Sequence, residues 1–182
     1  KTTTGYVMVL SLAVLLSGGC DALTAKEARQ ALEEVALSSQ ALTLASGSIE
    51  IATDFTIGDA VEAVAEEIGD FIETQLPCAA ITVTGPVLSI EYGARPGECF
   101  YRGQRYSGKH TIEVVSAASG KLEIHHEWDE LANGIVSVTG SADVTWSAPD
   151  SSRHVVHELT WIRLNDGEAV VGSGDRTQTA LS

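Results

Sequence analysis

The hydrophobic pattern of this chain changes its period at Pro77 and Cys78, and this change limits the fold more than any other feature. Before Pro77, apolar residues recur three or four positions apart, as on one face of an α-helix. After Cys78 they alternate with polar residues or form short β-branched runs between turn residues, as in β-strands. The sequence therefore predicts an α+β fold in which N-terminal amphipathic helices pack on an antiparallel β-meander.

Two helices are predicted before Pro77. Thr24 and Glu27 have the spacing of a capping box, which indicates the start of the first helix. Gly47 and Ser48 predict its end, and Pro77 terminates a second helix over residues 58–75. The predicted apolar stripes are Ala28, Leu32, Val35 and Leu42 in the first helix, and Val61, Val64, Ile68, Phe71 and Ile72 in the second.

Seven strands are predicted after Cys78. Turn residues such as Asn133-Gly134 lie between them, and the short connections indicate that consecutive strands pair antiparallel. The predicted strands cover residues 81–84, 87–92, 109–115, 121–128, 134–146, 153–164 and 168–171.

Two histidines are predicted to meet on the apolar face of this sheet. The predicted register pairs Val114 with Leu122, Ile112 with Ile124, and His110 with His126. The adjacent His125 then points away from the pair. We expect His110 and His126 to form a partly buried polar pair in which at least one pKa lies below its usual value.

The three tryptophans are predicted to pack in the core. Pairing Trp146 with Val155 leaves a four-residue loop over residues 149–152 and sets Val144 opposite His157. Trp128, Trp146 and Trp161 then share the apolar face, where core packing is favoured over a row of aromatic rings that stacks on sugars. The second helix is expected to cover this face.

The N-terminal residues have the pattern of an export signal. An apolar run over residues 6–16 is too short to span a bilayer. The small pair Gly18-Gly19 before Cys20 resembles the lipobox of bacterial lipoproteins, although Ser17 stands where that motif usually has Leu. The resemblance implies a signal peptide over residues 1–19 and a lipid on Cys20. An ordinary secreted protein is the alternative.

The other two cysteines are predicted to pair. With Cys20 lipidated, Cys78 and Cys99 remain as an even pair in an oxidising compartment, where a disulfide is the usual outcome. Two buried free thiols are the alternative. We expect residues 20–76 to form the anchor and helical segment and residues 77–182 an antiparallel β domain. The chain is expected to be part of a longer protein, since it begins at Lys1 rather than Met.

The segment from Cys78 onward resembles a group of uncharacterised exported lipoproteins of Gram-negative bacteria. The resemblance rests on the motifs that begin at Cys78, Leu88, Cys99 and Gly134, and it covers residues 78–178. Those proteins carry two cysteines around a strand, a Gly-x-x-x-x-Gly segment and then β-hairpins. The resemblance implies an envelope location and a β-rich body, and it supplies no catalytic residue.

Several function classes are disfavoured by the composition and by the motifs. A net charge of −14 argues against nucleic acid. The chain has no GxSxG nucleophile motif and no phosphate-binding loop. His125-His126 and His154 with His157 point to opposite faces of their strands, and neither pair can hold one metal. The sequence predicts no cofactor, no metal site and no catalytic residue.

These observations favour a lipid-anchored protein of the bacterial cell envelope that acts as a structural or interaction module without catalysis. The membrane, through the lipid anchor, and a protein of the envelope are the expected partners. The alternative is a periplasmic small-ligand or lipid-binding protein with a pocket on the apolar sheet face. A filled core and an exposed sheet edge would favour the first function, and a cavity beside the tryptophans would favour the second.

Overall fold

A computed structural model describes residues 24–53, 55–118 and 120–179. The described residues form an α+β fold with two helices, a seven-stranded antiparallel sheet in the order β1-β2-β5-β6-β7-β8-β9, and a small β3–β4 hairpin. The predicted signal peptide and Cys20 lie outside these residues. The elements are α1 Ala25–Ile51, α2 Val61–Gln75, β1 Ala80–Thr84, β2 Val87–Tyr92, β3 Phe100–Tyr101, β4 Gln104–Arg105, β5 Ser107–Ala118, β6 Lys121–Ala132, β7 Val136–Ser147, β8 Ser152–Arg163 and β9 Ala169–Thr179.

Helix α1 starts as predicted and ends later than predicted. The capping box is present, since the Thr24 side chain accepts from the Glu27 N–H and the Glu27 carboxylate accepts from the Thr24 N–H. The predicted break at Gly47 and Ser48 is wrong, because α1 continues to Ile51. The Ser48 hydroxyl bonds the Ala45 carbonyl of its own helix, and Gly47 lies against a buried tyrosine, so both residues serve packing.

The apolar stripe predicted for α1 is wrong in its first half. Leu32 and Val35 are 69% and 66% exposed, and no described residue from 26 to 36 is buried. The buried face of α1 lies on another side of the helix, further along the chain. It consists of Leu37, Ala41, Leu44, Ala45, Ser48, Ile49 and Ile51.

Helix α2 keeps its predicted stripe and its predicted end. Val64, Ile68 and Ile72 are buried, and the helix finishes two residues before Pro77. It starts at Val61 rather than at Gly58, because Gly58 has a φ of +108°, which a right-handed helix does not permit. Neither of the two described helices is both long and apolar enough to cross a membrane.

The sheet is an antiparallel meander, as predicted, and its last strand is longer than predicted. Strand β9 continues past Val171 to Thr179, although Gly172 and Gly174 lie inside it. Both glycines lie beneath aromatic rings of β8: a Cβ atom added at Gly172 would clash with Trp161, and one at Gly174 would clash with His157. The glycines here provide space for the neighbouring strand rather than a turn.

The predicted β5–β6 register is wrong by two residues. Ile112 pairs with His126, and His110 pairs with Trp128. The hairpin turns tightly after Ala118, and a β-bulge then leaves Val115 without a cross-strand partner. From Lys109 to Val114 the error is an even number of residues, so these side chains remain on their predicted faces. Beyond the bulge the error is three residues, and Leu122 pairs with Ala117.

The predicted β7–β8 register is also wrong by two residues. Trp146 pairs with Arg153, and Val144 pairs with Val155. The connecting loop has the predicted length of four residues, but it spans residues 148–151 because Ser147 and Ser152 form the last pair. The predicted faces hold here too, for the same reason.

One hydrophobic core contains residues from both helices and from the sheet. Trp128 and Trp161 are buried in it, with 1% and 4% of their surface exposed, and Trp146 is partly buried against it. The predicted core packing of the tryptophans is therefore confirmed.

Candidate functional site

The predicted pairing of Cys78 and Cys99 is confirmed. The two residues form a disulfide with Cα atoms 5.4 Å apart, and both are buried. The bridge connects the residues that follow α2 to the start of β3. It therefore fixes the position of the β3–β4 hairpin relative to the main sheet.

The predicted polar pair forms, and it is more deeply buried than expected. His110 and His126 are each 1% exposed, and the His110 Nε2 atom lies 2.9 Å from the His126 Nδ1 atom. The Tyr92 hydroxyl lies 3.1 Å from the His110 Nδ1 atom. The three side chains form one hydrogen-bonded chain across β2, β5 and β6.

Burial makes this chain electrically neutral at physiological pH. It lowers the pKa of His110 well below the usual value, and the neighbouring His126 lowers it further. Burial is also the main cause that lowers the pKa of His126 to about 3. Burial raises the pKa of the Tyr92 hydroxyl above its usual range. A neutral imidazole has one N–H and one acceptor nitrogen, so all three groups can be bonded in sequence.

A second polar contact joins α1 to the same cluster. The Trp128 Nε1–H donates to the Ser48 hydroxyl over 2.9 Å, and both side chains are buried. The Trp128 ring stacks on His126 with centroids 5.8 Å apart and on His110 at 5.5 Å. These groups have partners and are closed off from solvent. The geometry therefore fits a polar part of the core better than a reaction centre.

The neighbouring His125 points to the opposite face of the sheet, as predicted. It is partly exposed, and its Nδ1 atom lies 2.7 Å from an Asp143 carboxylate oxygen. His154 forms a similar pair with Asp175 at 2.6 Å. Across residues 24–53, 55–118 and 120–179, no three His, Cys, Asp or Glu side chains come together as a metal site.

Among the described residues, strand β9 is the last strand of the sheet and has an open edge. Within the described part of the chain, it pairs only with β8, over 11 residues. The Arg163 N–H donates to the Glu168 carbonyl at the start of the β8–β9 ladder. Hydrogen-bonded and non-hydrogen-bonded residue pairs alternate along antiparallel strands, so every second residue of β9 after Glu168 bonds β8. The even-numbered residues from 170 to 178 bond β8. The backbone N–H and C=O groups of residues 171, 173, 175 and 177 therefore point to the open edge.

Open space occurs beside the core rather than between the tryptophans. A depression of about 500 Å³ touches Trp146, and neither of the other two tryptophans lines it. A larger groove of about 760 Å³ lies between α1, Tyr106 and the inner face of β9. Arg176 lines this groove.

Three residues of the buried polar cluster and the groove were not predicted from the sequence: Ser48, Tyr92 and Arg176. The sequence pattern assigns Ser48 to a helix break and Tyr92 to an ordinary strand position. Arg176 lies beyond the predicted end of the last strand. One pattern in the sequence could have indicated a longer β9. Val170, Gly172, Gly174 and Arg176 are every second residue and would share one face of a strand, with the two glycines as its small residues.

Comparisons with known proteins give no relative. The chain matches no protein-family model, no curated protein and no solved structure. The resemblance to exported lipoproteins therefore stays a prediction.

Proposed function

We propose that this protein is a lipid-anchored component of the bacterial cell envelope that binds a partner protein and catalyses no reaction. The free edge of β9 is the observation that carries the proposal. We further propose that the partner contributes an extended segment that pairs with this edge as an additional strand.

The edge of β9 is well suited to strand addition in its first half. Unpaired backbone groups at a long sheet edge are a template for another chain, and proteins that avoid such pairing shorten the edge or place charges and prolines on it. Residues 169–174 carry neither charge nor proline, and the Val171 side chain is 77% exposed. Asp175 and Arg176 place charges in the second half, so we expect pairing to centre on Val171 and Ser173.

The filled core supports a binding module over an enzyme. The buried His110, His126 and Tyr92 bond one another, and solvent does not reach them. A catalytic acid or base needs access to a substrate, which these groups lack. The groove beside α1 has mainly apolar walls, and of its charged groups Glu50 and Arg102 form an ion pair with each other.

We also propose that both helices cover the inner face of the sheet and leave its β9 edge open. The Ser48–Trp128 hydrogen bond joins α1 to β6. Gly69 of α2 lies close to β1, since a Cβ atom added there would lie 3.2 Å from the Val83 side chain. Such a cover directs strand addition to the edge instead of the face.

Crosslinking in cells tests the proposed strand addition. A photoreactive residue at position 173 should give a discrete adduct with an envelope protein. Val171→Pro should abolish this adduct, because proline removes an N–H that points to the open edge and leaves the β8–β9 ladder intact. Val171→Thr is the matched control, since it retains the N–H, and it should preserve the adduct.

The outcomes distinguish a partner strand at the edge from a second copy of the chain and from contact elsewhere on the surface. An adduct that persists in Val171→Pro would contradict strand addition. An adduct of twice the chain mass would show that the edge pairs with a second copy. A photoreactive residue at position 113, which is exposed on β5 in the sheet interior, should give no adduct.

The proposed anchor has its own test. Cys20→Ala should abolish labelling by radioactive palmitate and leave an unprocessed precursor, because the thiol is the proposed site of lipid attachment. Ser17→Ala is the matched control and should be labelled. Normal processing of Cys20→Ala, with the protein released from the membrane fraction, would show an ordinary secreted protein.

A further inference from the structure

The groove beside α1 has the size and lining of a small-molecule site. Its volume is about 760 Å³, and binding clefts for small ligands measure about 300–1,000 Å³. Val35 and Leu42 from α1 and Val170 from β9 give it a mainly apolar surface. Apolar walls of this kind accommodate a hydrocarbon group.

Arg176 brings a positive charge to this apolar groove. One of its terminal NH₂ groups donates to the Ser46 hydroxyl over 2.8 Å. Its Nε atom is buried and has no hydrogen-bond partner in the described part of the chain. Arg176 takes part in none of the ion pairs found among the described residues. A buried donor on a charged group costs free energy unless an acceptor is supplied.

The two acidic residues of the groove do not supply that acceptor. Glu50 forms an ion pair with Arg102, with a nitrogen–oxygen distance of 2.9 Å. Glu34 lies in the exposed first half of α1, and no described residue from 26 to 36 is buried. Within residues 24–53, 55–118 and 120–179, no carboxylate therefore forms an ion pair with Arg176.

Other basic groups lie near Arg176 on the same sheet face. Burial lowers the pKa of Arg153, the nearby Glu50 carboxylate raises it, and the positive charge of Arg176 lowers it. Burial and the charge of Arg176 lower the pKa of His157. Arg153, His157 and Arg176 thus outnumber Glu50 here, in contrast with the net charge of −14 for the whole chain. The inner side of β8 and β9 therefore favours an anion.

We propose that the groove binds a single-chain fatty carboxylate, which is a different activity from strand addition at the β9 edge. The carboxylate accepts hydrogen bonds from Arg176 and the Ser46 hydroxyl. The hydrocarbon chain lies along Leu42, Val170 and Val35. A carboxylate can accept two N–H bonds from one guanidinium group, and Arg176 lines the groove.

Equilibrium dialysis of radiolabelled dodecanoate against the full chain tests this site. One saturable site is expected. Arg176→Gln should weaken binding by about tenfold or more, since a hydrogen bond to a charged group contributes about 1.5–3 kcal/mol. Arg105→Gln removes an exposed arginine that does not line the groove, and it should leave the affinity unchanged.

A matched pair on α1 tests the hydrocarbon end of the site. Val35→Asp places a charge in the groove and should strongly reduce dodecanoate binding. Leu32→Asp places the same charge one turn earlier, at a residue of equal exposure that does not line the groove, and binding should be retained. Circular dichroism would check that both variants fold.

Three results would overturn the proposal. The first is the absence of saturable dodecanoate binding to the wild-type chain. The second is equal binding of dodecanol, which would mean that the carboxylate is not recognised. The third is tighter binding of dodecyl phosphate than of dodecanoate, which would assign the site to another anion.

Discussion

The His110 Nε2 and His126 Nδ1 atoms lie 2.9 Å apart in the core, with each imidazole 1% exposed. At this distance the two rings share one hydrogen bond, which requires a lone pair on one nitrogen. Protonating both rings would remove that lone pair and bury two like charges. Burial disfavours even a single charge here, so the pair is most stable where both histidines are neutral.

We predict that the protein loses stability in acid because of this pair. Burial lowers both pKa values below the usual value of about 6.5, that of His126 to about 3, so the unfolded chain takes up protons first. The contribution of the histidine pair to the free energy of unfolding is complete above about pH 6.5. It diminishes as the pH falls towards 3, by up to about 1.4 kcal/mol per pH unit for each histidine.

Urea unfolding at a series of pH values measures this effect. His110→Phe combined with His126→Leu should flatten the pH dependence between about 6.5 and 4. Lys121→Gln is the control, because it changes an exposed residue of β6 and leaves both buried histidines in place, and it should retain the wild-type slope. An unchanged slope in the double variant would contradict the prediction.

The alternating pattern predicted which strand residues face the core. His110, His126 and Trp128 are all buried, although the cross-strand partner predicted for each histidine was wrong by two residues. Facing depends only on whether a residue is odd or even along its strand, and an even register error preserves it. Register depends on where the turn closes and on the bulge at Val115, and a β-branched residue at a bulge looks like any other strand residue.

Long-range contacts explain what the sequence could not predict. Gly47 and Ser48 are common helix-ending residues, and their true partners, Tyr106 and Trp128, lie far along the chain. Arg176 is part of a groove only because β9 passes close to α1. Local sequence patterns carry no information about such distant neighbours. The candidate groove could therefore be identified only from the three-dimensional structure.

We predict that Ser48→Ala destabilises the fold although alanine favours helices. The substitution removes the acceptor of the buried Trp128 indole N–H, which costs about 1–3 kcal/mol. Ser39→Ala is the matched control on the exposed side of α1, and its effect should lie within about 0.5 kcal/mol of zero. Denaturant unfolding checks both, and equal stabilities would show that the indole finds another partner.

We predict that the disulfide contributes stability through the unfolded chain. Cys78 and Cys99 are separated by 21 residues, and closing a loop of this size is worth about 3 kcal/mol in the chain-entropy treatment. The double variant Cys78→Ala and Cys99→Ala should lose about this amount in urea unfolding. Adding a reductant should destabilise the wild type and leave the double variant unchanged.

The last prediction concerns Gly47 and Tyr106, where helix preference and packing oppose each other. Glycine inside a helix costs about 0.5–1 kcal/mol relative to alanine, so Gly47→Ala would ordinarily stabilise α1. Here a Cβ atom at position 47 would lie 2.5 Å from the Tyr106 hydroxyl oxygen. Tyr106 is 2% exposed and has little room to move. Gly47→Ala should therefore destabilise the protein by about 1–3 kcal/mol.

Removing the hydroxyl group should reverse the sign of this effect. In Tyr106→Phe the nearest remaining ring atom, Cζ, lies 3.8 Å from the added Cβ, which is an ordinary contact distance. Gly47→Ala in that background should stabilise the protein by about 0.5–1 kcal/mol. Urea unfolding of the wild type, both single variants and the double variant completes the cycle. If Gly47→Ala has the same effect in both backgrounds, the contact between α1 and Tyr106 is not the reason that position 47 requires glycine.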